Sequence, residues 1–144
     1  MILVADTGAL YALYDAEDRH HETVKAALEA HRGPVVVPSA ILSEVDYLLR
    51  EFLGVQAELD FIASLRSGAF QLAELTPADL DRCSELLDRY RDLDLGLADT
   101  AVMATAERLG TLEILTVDER DFRAVVSRNG KPFVLLPADA PRRD

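Results

Sequence analysis

Short apolar runs alternate along the chain with longer stretches in which apolar residues recur at helical spacing. The runs predict five buried strands, because they are short and rich in β-branched residues, and the periodic stretches predict amphipathic helices between them. Strands alternating with helices favour an α/β fold, with a mostly parallel sheet covered on both faces. The predicted strands are residues 2–5, 34–37, 70–72, 112–117 and 133–136, and the predicted helices are residues 8–14, 20–31, 39–52, 55–66, 77–90 and 97–109, with a turn at 118–121.

A chain of 144 residues fits one compact domain, and no repeat, linker or low-complexity tract divides it. We therefore predict a single domain over residues 1–144, with a frayed tail at 137–144. No apolar run approaches the roughly 20 residues that a membrane span requires. The only cysteine, Cys83, falls in a helical pattern and fits a partly buried thiol in a reducing cytoplasm.

The formal net charge of −11 argues against nucleic-acid binding, since affinity for phosphate usually depends on lysine and arginine. Net charge is a weak guide where acids cluster, however. Carboxylates gathered around a metal ion form a cation site, and the ion then faces the phosphate. The positions of the acids therefore matter more than their number.

Two acids follow predicted strands directly: Asp6 ends the first, and Asp118 ends the strand at residues 112–117. Carboxyl ends of parallel strands share one edge of a sheet, where ligands of such folds bind. Asp99 begins the helix at residues 97–109 and lies on its apolar face, where a carboxylate is costly unless it is paired or metal-bound. These three acids are candidates for one site.

A fourth candidate comes from the helix at residues 39–52. Glu44 and Asp46 flank its apolar stripe about equally well, so the pattern alone does not choose between them. Asp46 has Arg50 four residues further on and could form a surface pair with it. That pair favours Glu44 for the site.

Each acid has a simpler interpretation when taken alone. Asp6 and Asp118 could cap helices or turns, Asp99 could complement a helix dipole, and Glu44 could be a solvated surface acid. Together they point to a metal, because two carboxylates about 4 Å apart repel each other by roughly 4 kcal/mol at an effective dielectric constant near 20. Mg²⁺ binds carboxylate oxygen while keeping several of its waters.

Four segments stand in order along the chain: residues 4–10 (VADTGAL), 38–45 (PSAILSEV), 95–101 (LGLADTA) and 115–122 (LTVDERDF). Together they resemble the PIN-domain family, and within it the VapC-type toxins. The resemblance extends over about residues 2–136 and implies an α/β/α sandwich with a central parallel sheet. It implies that Asp6, Glu44, Asp99 and Asp118 hold Mg²⁺ or Mn²⁺, with Asp121 as a possible additional acid. Asp94 also lies near the third segment, but we prefer Asp99 for the site because it begins the helix.

The activity implied by the resemblance is that of an endoribonuclease toxin in a type II toxin–antitoxin pair. The ions would activate a water for in-line attack on an RNA phosphodiester, leaving 5′-phosphate and 3′-hydroxyl ends. Thr7 and Thr100 are candidates to orient Asp6 and Asp99. Arg120 and Arg123, beside Asp118, are candidates to meet the substrate phosphate.

The resemblance also implies a VapB-like antitoxin whose tail fills the acidic groove. Apolar positions between residues 41 and 61 exceed what a single helix needs for its own core, so we predict that this region joins a homodimer or antitoxin interface.

Two other classes stay open at this point. One is a HAD-like phosphatase, although Gly8 stands where that family has a second aspartate. The other is a non-catalytic binding module, either receiver-like or with a PIN fold. Metal-dependent cleavage of RNA separates both from the ribonuclease.

Overall fold

A computed structural model describes residues 1–141 of the protein. Five strands form one sheet in the order β3-β2-β1-β4-β5, and all pairs are parallel. Each of the five predicted strands is present, with ends that differ by at most two residues, and the α/β prediction is confirmed. The strands are β1 Leu3–Ala5, β2 Val35–Pro38, β3 Gln71–Ala73, β4 Glu113–Leu115 and β5 Val134–Leu136.

All six predicted helices are present as well. Two local predictions were wrong. Residues 39–41 form a separate 3-10 turn instead of the start of a helix. The turn expected at 118–121 is the start of a short helix, because Asp118 caps that helix by accepting a hydrogen bond from the Asp121 N–H. The helices are α1 Thr7–Tyr14, α2 His21–Ala30, α3 Leu42–Leu53, α4 Val55–Ser67, α5 Pro77–Arg89, α6 Leu97–Arg108 and α7 Glu119–Ala124.

Helix α6 is the element that the core fixes most firmly. Every residue from Thr100 to Ala106 is buried, and the helix contacts β1, β2 and β4 on one side and α5 on the other. A helix with buried residues on nearly every side lies in a core rather than on a surface. Its first turn, which carries Asp99, is therefore held in a fixed position relative to the sheet.

Asp79, in the first turn of α5, joins that helix to α6. The residue is only 2% exposed; its side chain completes a capping box with Thr76 and accepts a hydrogen bond from Arg108 Nε at 3.0 Å. Burial raises its pKa, but the hydrogen bonds from Arg108 and Thr76 outweigh that effect and hold the pKa below the usual value.

Replacing Asp79 with alanine is expected to lower the free energy of unfolding by about 3 kcal/mol at neutral pH, because Arg108 loses its partner and the helix loses its cap. Urea unfolding measures the change, with Asp81→Ala, an exposed residue of the same helix, as the control. The difference between the two variants should shrink as the pH falls below about 4, where Asp79 takes up a proton in the unfolded state. Equal stabilities at pH 7 would contradict this role.

The end of the described chain is bonded to the domain. Asp139 accepts a hydrogen bond from the Leu135 N–H at 2.8 Å and pairs with Arg123 at 2.7 Å. These contacts lie within residues 137–144, for which a frayed tail stays a prediction, and the last part of that segment, residues 142–144, lies outside the described residues. Within residues 1–141, no helix is long and apolar enough to cross a membrane.

Candidate active site

The parallel pairing of β1 with β4 brings the ends of the two strands together. Val4 pairs with Ile114 and Ala5 with Leu115, so Asp6 and Thr116 emerge side by side at the carboxyl edge of the sheet. The Asp6 N–H donates to the Leu115 carbonyl at 2.9 Å, and the Thr116 hydroxyl donates to the Asp6 carboxylate at 3.0 Å. Asp6 is thus fixed through both its backbone and its side chain.

The environment of Asp6 opposes its negative charge. The residue is 7% exposed, and the pKa of its carboxyl is raised from 3.8 to about 6, with burial as the largest cause. Hydrogen bonds from the Thr7 backbone and from Thr116 lower the pKa, whereas the charges of Asp99 and Asp118 raise it further. The electrostatic influence of these two acids indicates that they share the edge with Asp6.

Asp99 lies in the first turn of α6, where its carboxylate accepts a hydrogen bond from the Gly96 N–H at 3.1 Å. Burial is the largest influence raising its pKa, and the charges of Asp118, Glu44 and Asp94 raise it as well. Three acids from three different segments therefore act on Asp99.

Asp118 caps the start of α7, three residues after the end of β4. Its N–H donates to the Thr116 hydroxyl at 3.0 Å, so Thr116 links the backbone at Asp118 to the carboxylate of Asp6. Asp121 lies one turn further on, half-buried, and its pKa is raised first by burial and then by the charge of Asp118. The structure places Asp121 next to the other acids.

Glu44 and Asp46 differ in their neighbours. Glu44 is exposed in the first turn of α3, and its charge reaches Asp99. Asp46 acts on α4 instead, where a hydrogen bond with it raises the pKa of Glu58. The predicted Asp46–Arg50 pair is wrong, since Arg50 pairs with Glu58 at 3.2 Å. The packing of α3 against α4 thus distinguishes Glu44 from Asp46, between which the helix pattern alone did not choose.

The donor set suits a hard divalent cation. Among residues 1–141, no arginine or lysine forms an ion pair with Asp6, Glu44, Asp99 or Asp118. No three acidic, histidine or cysteine side chains of these residues converge on one point as they stand. Oxygen donors without cationic partners fit Mg²⁺ or Mn²⁺ in chemical type, and side-chain rotation is needed to bring them onto one ion.

The threonines do not act as the sequence predicted. The Thr100 hydroxyl lies within hydrogen-bond distance of the Gly96 and Leu97 carbonyls, so it does not orient Asp99. The Thr7 hydroxyl is buried and has no hydrogen-bond partner among the described residues. Thr116 was missed, although its place two residues before Asp118 at a strand end could have identified it.

Of the two predicted phosphate-binding arginines, Arg123 is already engaged. Its guanidinium donates to Glu119 at 2.9 Å and to Asp139 at 2.7 Å. Arg120 is exposed, forms no ion pair within the described chain, and lowers the pKa of Asp121. Arg120 therefore stays available to an anion beside the acids, and Arg123 does not.

Comparison with known proteins supplies the family. The sequence model of the PIN-domain family matches residues 3–127. Ribonuclease VapC26 of Mycobacterium tuberculosis is 33% identical over 135 residues, which cover 94% of this chain and 100% of that protein.

Solved structures with the same fold are similar over most of their length. The toxin VapC20 of Mycobacterium tuberculosis, which cleaves the sarcin–ricin loop, superposes with a TM-score of 0.76 at 22% identity and covers 82% of this chain and 91% of its own. A toxin–antitoxin complex from Klebsiella pneumoniae gives a TM-score of 0.67 at 24% identity, covering 85% and 92%. At these identities the likeness concerns the fold.

Proposed function

The chain belongs to the PIN-domain family, and from this premise we propose that it is a metal-dependent endoribonuclease, the toxin of a type II toxin–antitoxin pair. The observation that carries the proposal is the group of acids at the carboxyl edge of the sheet: the charges of Asp99 and Asp118 raise the pKa of Asp6, and those of Asp118 and Glu44 raise the pKa of Asp99. Such a group costs stability and is explained by a cation that it binds. A HAD-like phosphatase is set aside by the family match. The single cysteine, Cys83, is buried and unpaired, which supports action in the cytoplasm.

Nucleases of this family depend on divalent metal ions, and we assign the ion, Mg²⁺ or Mn²⁺, to Asp6, Glu44, Asp99 and Asp118. When bound, the ion supplies a water of lowered pKa and stabilises the leaving oxygen of the phosphodiester. Thr116 keeps Asp6 in position, and the Gly96 N–H does the same for Asp99. Arg120, beside the acids, meets the RNA phosphate.

The antitoxin is assigned to an apolar surface on α3 and α4. Five large apolar side chains are exposed there, a concentration typical of a protein interface. An antitoxin bound at this surface lies close to Glu44, which α3 also carries. The complex from Klebsiella pneumoniae, which has the same fold, is a toxin–antitoxin complex and supports an antitoxin as the partner. We call this surface the α3–α4 face; its exposed residues are Tyr47, Phe52, Val55, Leu59 and Ile62.

The choice of Glu44 over Asp46 is tested by neutralising each acid in turn. Glu44→Gln is expected to weaken Mn²⁺ binding at least tenfold, because it removes one anionic ligand, a loss of about 1.4 kcal/mol or more. Asp46→Asn should bind Mn²⁺ as the unmodified protein does. Isothermal titration with Mn²⁺ measures both affinities, and circular dichroism checks that both variants fold. Weaker binding by Asp46→Asn alone would reverse the assignment.

A further inference from the structure

A cavity of about 200 Å³ lies beside the acids, between the start of α2, the passage from β4 into α7, and the end of β5. Thr116, whose hydroxyl donates to Asp6 at 3.0 Å, is one of the residues that line it. A group in the cavity is therefore one side chain away from the proposed metal ligands. We call it the Thr116 pocket; its wall includes His20, Thr116, Val117, Glu119, Pro137 and Ala138.

We propose that the Thr116 pocket receives one RNA base next to the scissile phosphate, and that Glu119 selects bases with an exocyclic amino group. The inference rests on the proposed ribonuclease function and names the specificity of the same site. At about 30 Å³ per water molecule, the volume holds six or seven waters, which matches a planar ring system better than a whole nucleotide.

The chemistry of the wall matches that of an unstacked base. Val117, Pro137 and Ala138 present apolar surface on which a ring can lie. His20 and Glu119 are the lining residues with ionisable side chains, and these can meet the edge of the ring. Proteins read single-stranded RNA in this way, by holding the face of a splayed-out base and hydrogen-bonding its edge.

Glu119 is the residue that can discriminate between bases. Arg123 donates to it at 2.9 Å and is itself held by Asp139 at 2.7 Å, so the carboxylate is fixed at the rim. An ionised carboxylate accepts hydrogen bonds and donates none. It favours the amino groups of cytosine, adenine and guanine, whereas the one N–H on the pairing edge of uracil is flanked by two carbonyl oxygens that the carboxylate repels.

Arg19 supplies a cation at the mouth of the pocket. Its Nε donates to His20 Nε2 at 3.1 Å, its side chain is exposed, and it forms no ion pair among residues 1–141. A guanidinium in this position can hold the phosphate attached to the bound base. The pocket thus combines a site for the base with a site for its phosphate.

The test measures binding of four short single-stranded RNAs that differ only at one central base, by fluorescence anisotropy in EDTA. The RNAs with cytosine, adenine or guanine should bind at least fivefold more tightly than the one with uracil, the lower end of what one base contact contributes. Glu119→Gln should reduce the difference to within about twofold, since an amide both donates and accepts. Glu29 is an exposed acid of α2 outside the pocket, and Glu29→Gln should retain the difference in affinity between the four RNAs.

Ala138→Trp provides a second variant, because the indole fills the cavity, and it should also remove the base preference. Equal affinity for all four RNAs, or a base preference that persists in both Glu119→Gln and Ala138→Trp, would overturn the proposal that the Thr116 pocket binds a base. Cleavage in Mg²⁺ is measured separately on the same samples. Base preference without cleavage supports the pocket and contradicts the ribonuclease, whereas cleavage without base preference overturns the pocket alone.

Discussion

Asp6→Asn is expected to stabilise the metal-free protein by about 3 kcal/mol at neutral pH and to remove metal-dependent cleavage. A carboxyl whose pKa rises from 3.8 to about 6 on folding opposes the folded state by that amount once it is ionised. Asparagine keeps an oxygen for the Thr116 hydroxyl but carries no charge. The same substitution takes one anionic ligand from the proposed metal site.

The pH dependence of stability has a definite sign. Between about pH 4 and pH 6 the folded protein holds a proton on Asp6 that the unfolded chain has lost, so Asp6 makes stability fall as the pH rises through this window. Urea unfolding in EDTA from pH 4 to pH 8 measures this for the unmodified protein, for Asp6→Asn and for the exposed control Asp92→Asn. The amount by which the free energy of unfolding of Asp6→Asn exceeds that of the control should grow as the pH rises across this window. A variant that is less stable than the control at pH 7, or that still cleaves RNA, would refute the assignment.

Phe52→Ala is expected to weaken antitoxin binding about 30-fold to 1,000-fold, the range of a central aromatic residue in a protein interface. Phe52 is 65% exposed in the free chain and touches Tyr11 edge-on, with ring centroids 6.2 Å apart. Its truncation should therefore disturb the fold little while removing a large part of the α3–α4 face.

Titration of the purified VapB-like antitoxin into each protein measures the effect. Leu80→Ala is the matched control, because Leu80 is a comparably exposed apolar residue on α5, outside the α3–α4 face. RNA cleavage by free Phe52→Ala should equal that of the unmodified protein. Unchanged antitoxin affinity, together with loss of a homodimer in sedimentation, would assign the face to the dimer instead.

Much of the acidic edge follows from patterns that are local in the sequence. Asp6 and Asp118 each follow an apolar run, and parallel pairing alone places the ends of such runs together. Asp99 begins a helix that is buried almost all round, and that helix was visible as a long apolar pattern ended by a glycine. These features depend on periodicity and on strand direction, which neighbouring residues encode.

The remaining features depend on contacts between distant residues. Asp79 meets Arg108 across 29 positions, and Arg123 is held by Asp139 rather than left free for phosphate. The choice between Glu44 and Asp46 depends on the packing of α4 against α3, because the pattern of the helix alone places both acids equally well. No local pattern specifies which of several possible partners a charged side chain finds.

The most direct test is cleavage of labelled total RNA by purified, antitoxin-free protein in Mg²⁺ and in EDTA, with Asp99→Asn and Asp94→Asn in parallel. Cleavage at a few sites is expected in Mg²⁺ and none in EDTA. Asp99→Asn should cleave at least 100-fold more slowly, because a metal site supplies several kcal/mol of transition-state stabilisation, while Asp94→Asn should stay close to the unmodified rate. Cleavage in EDTA, full activity of Asp99→Asn, or no cleavage by the folded protein would contradict the metal-dependent ribonuclease, and the last result would indicate a binding module.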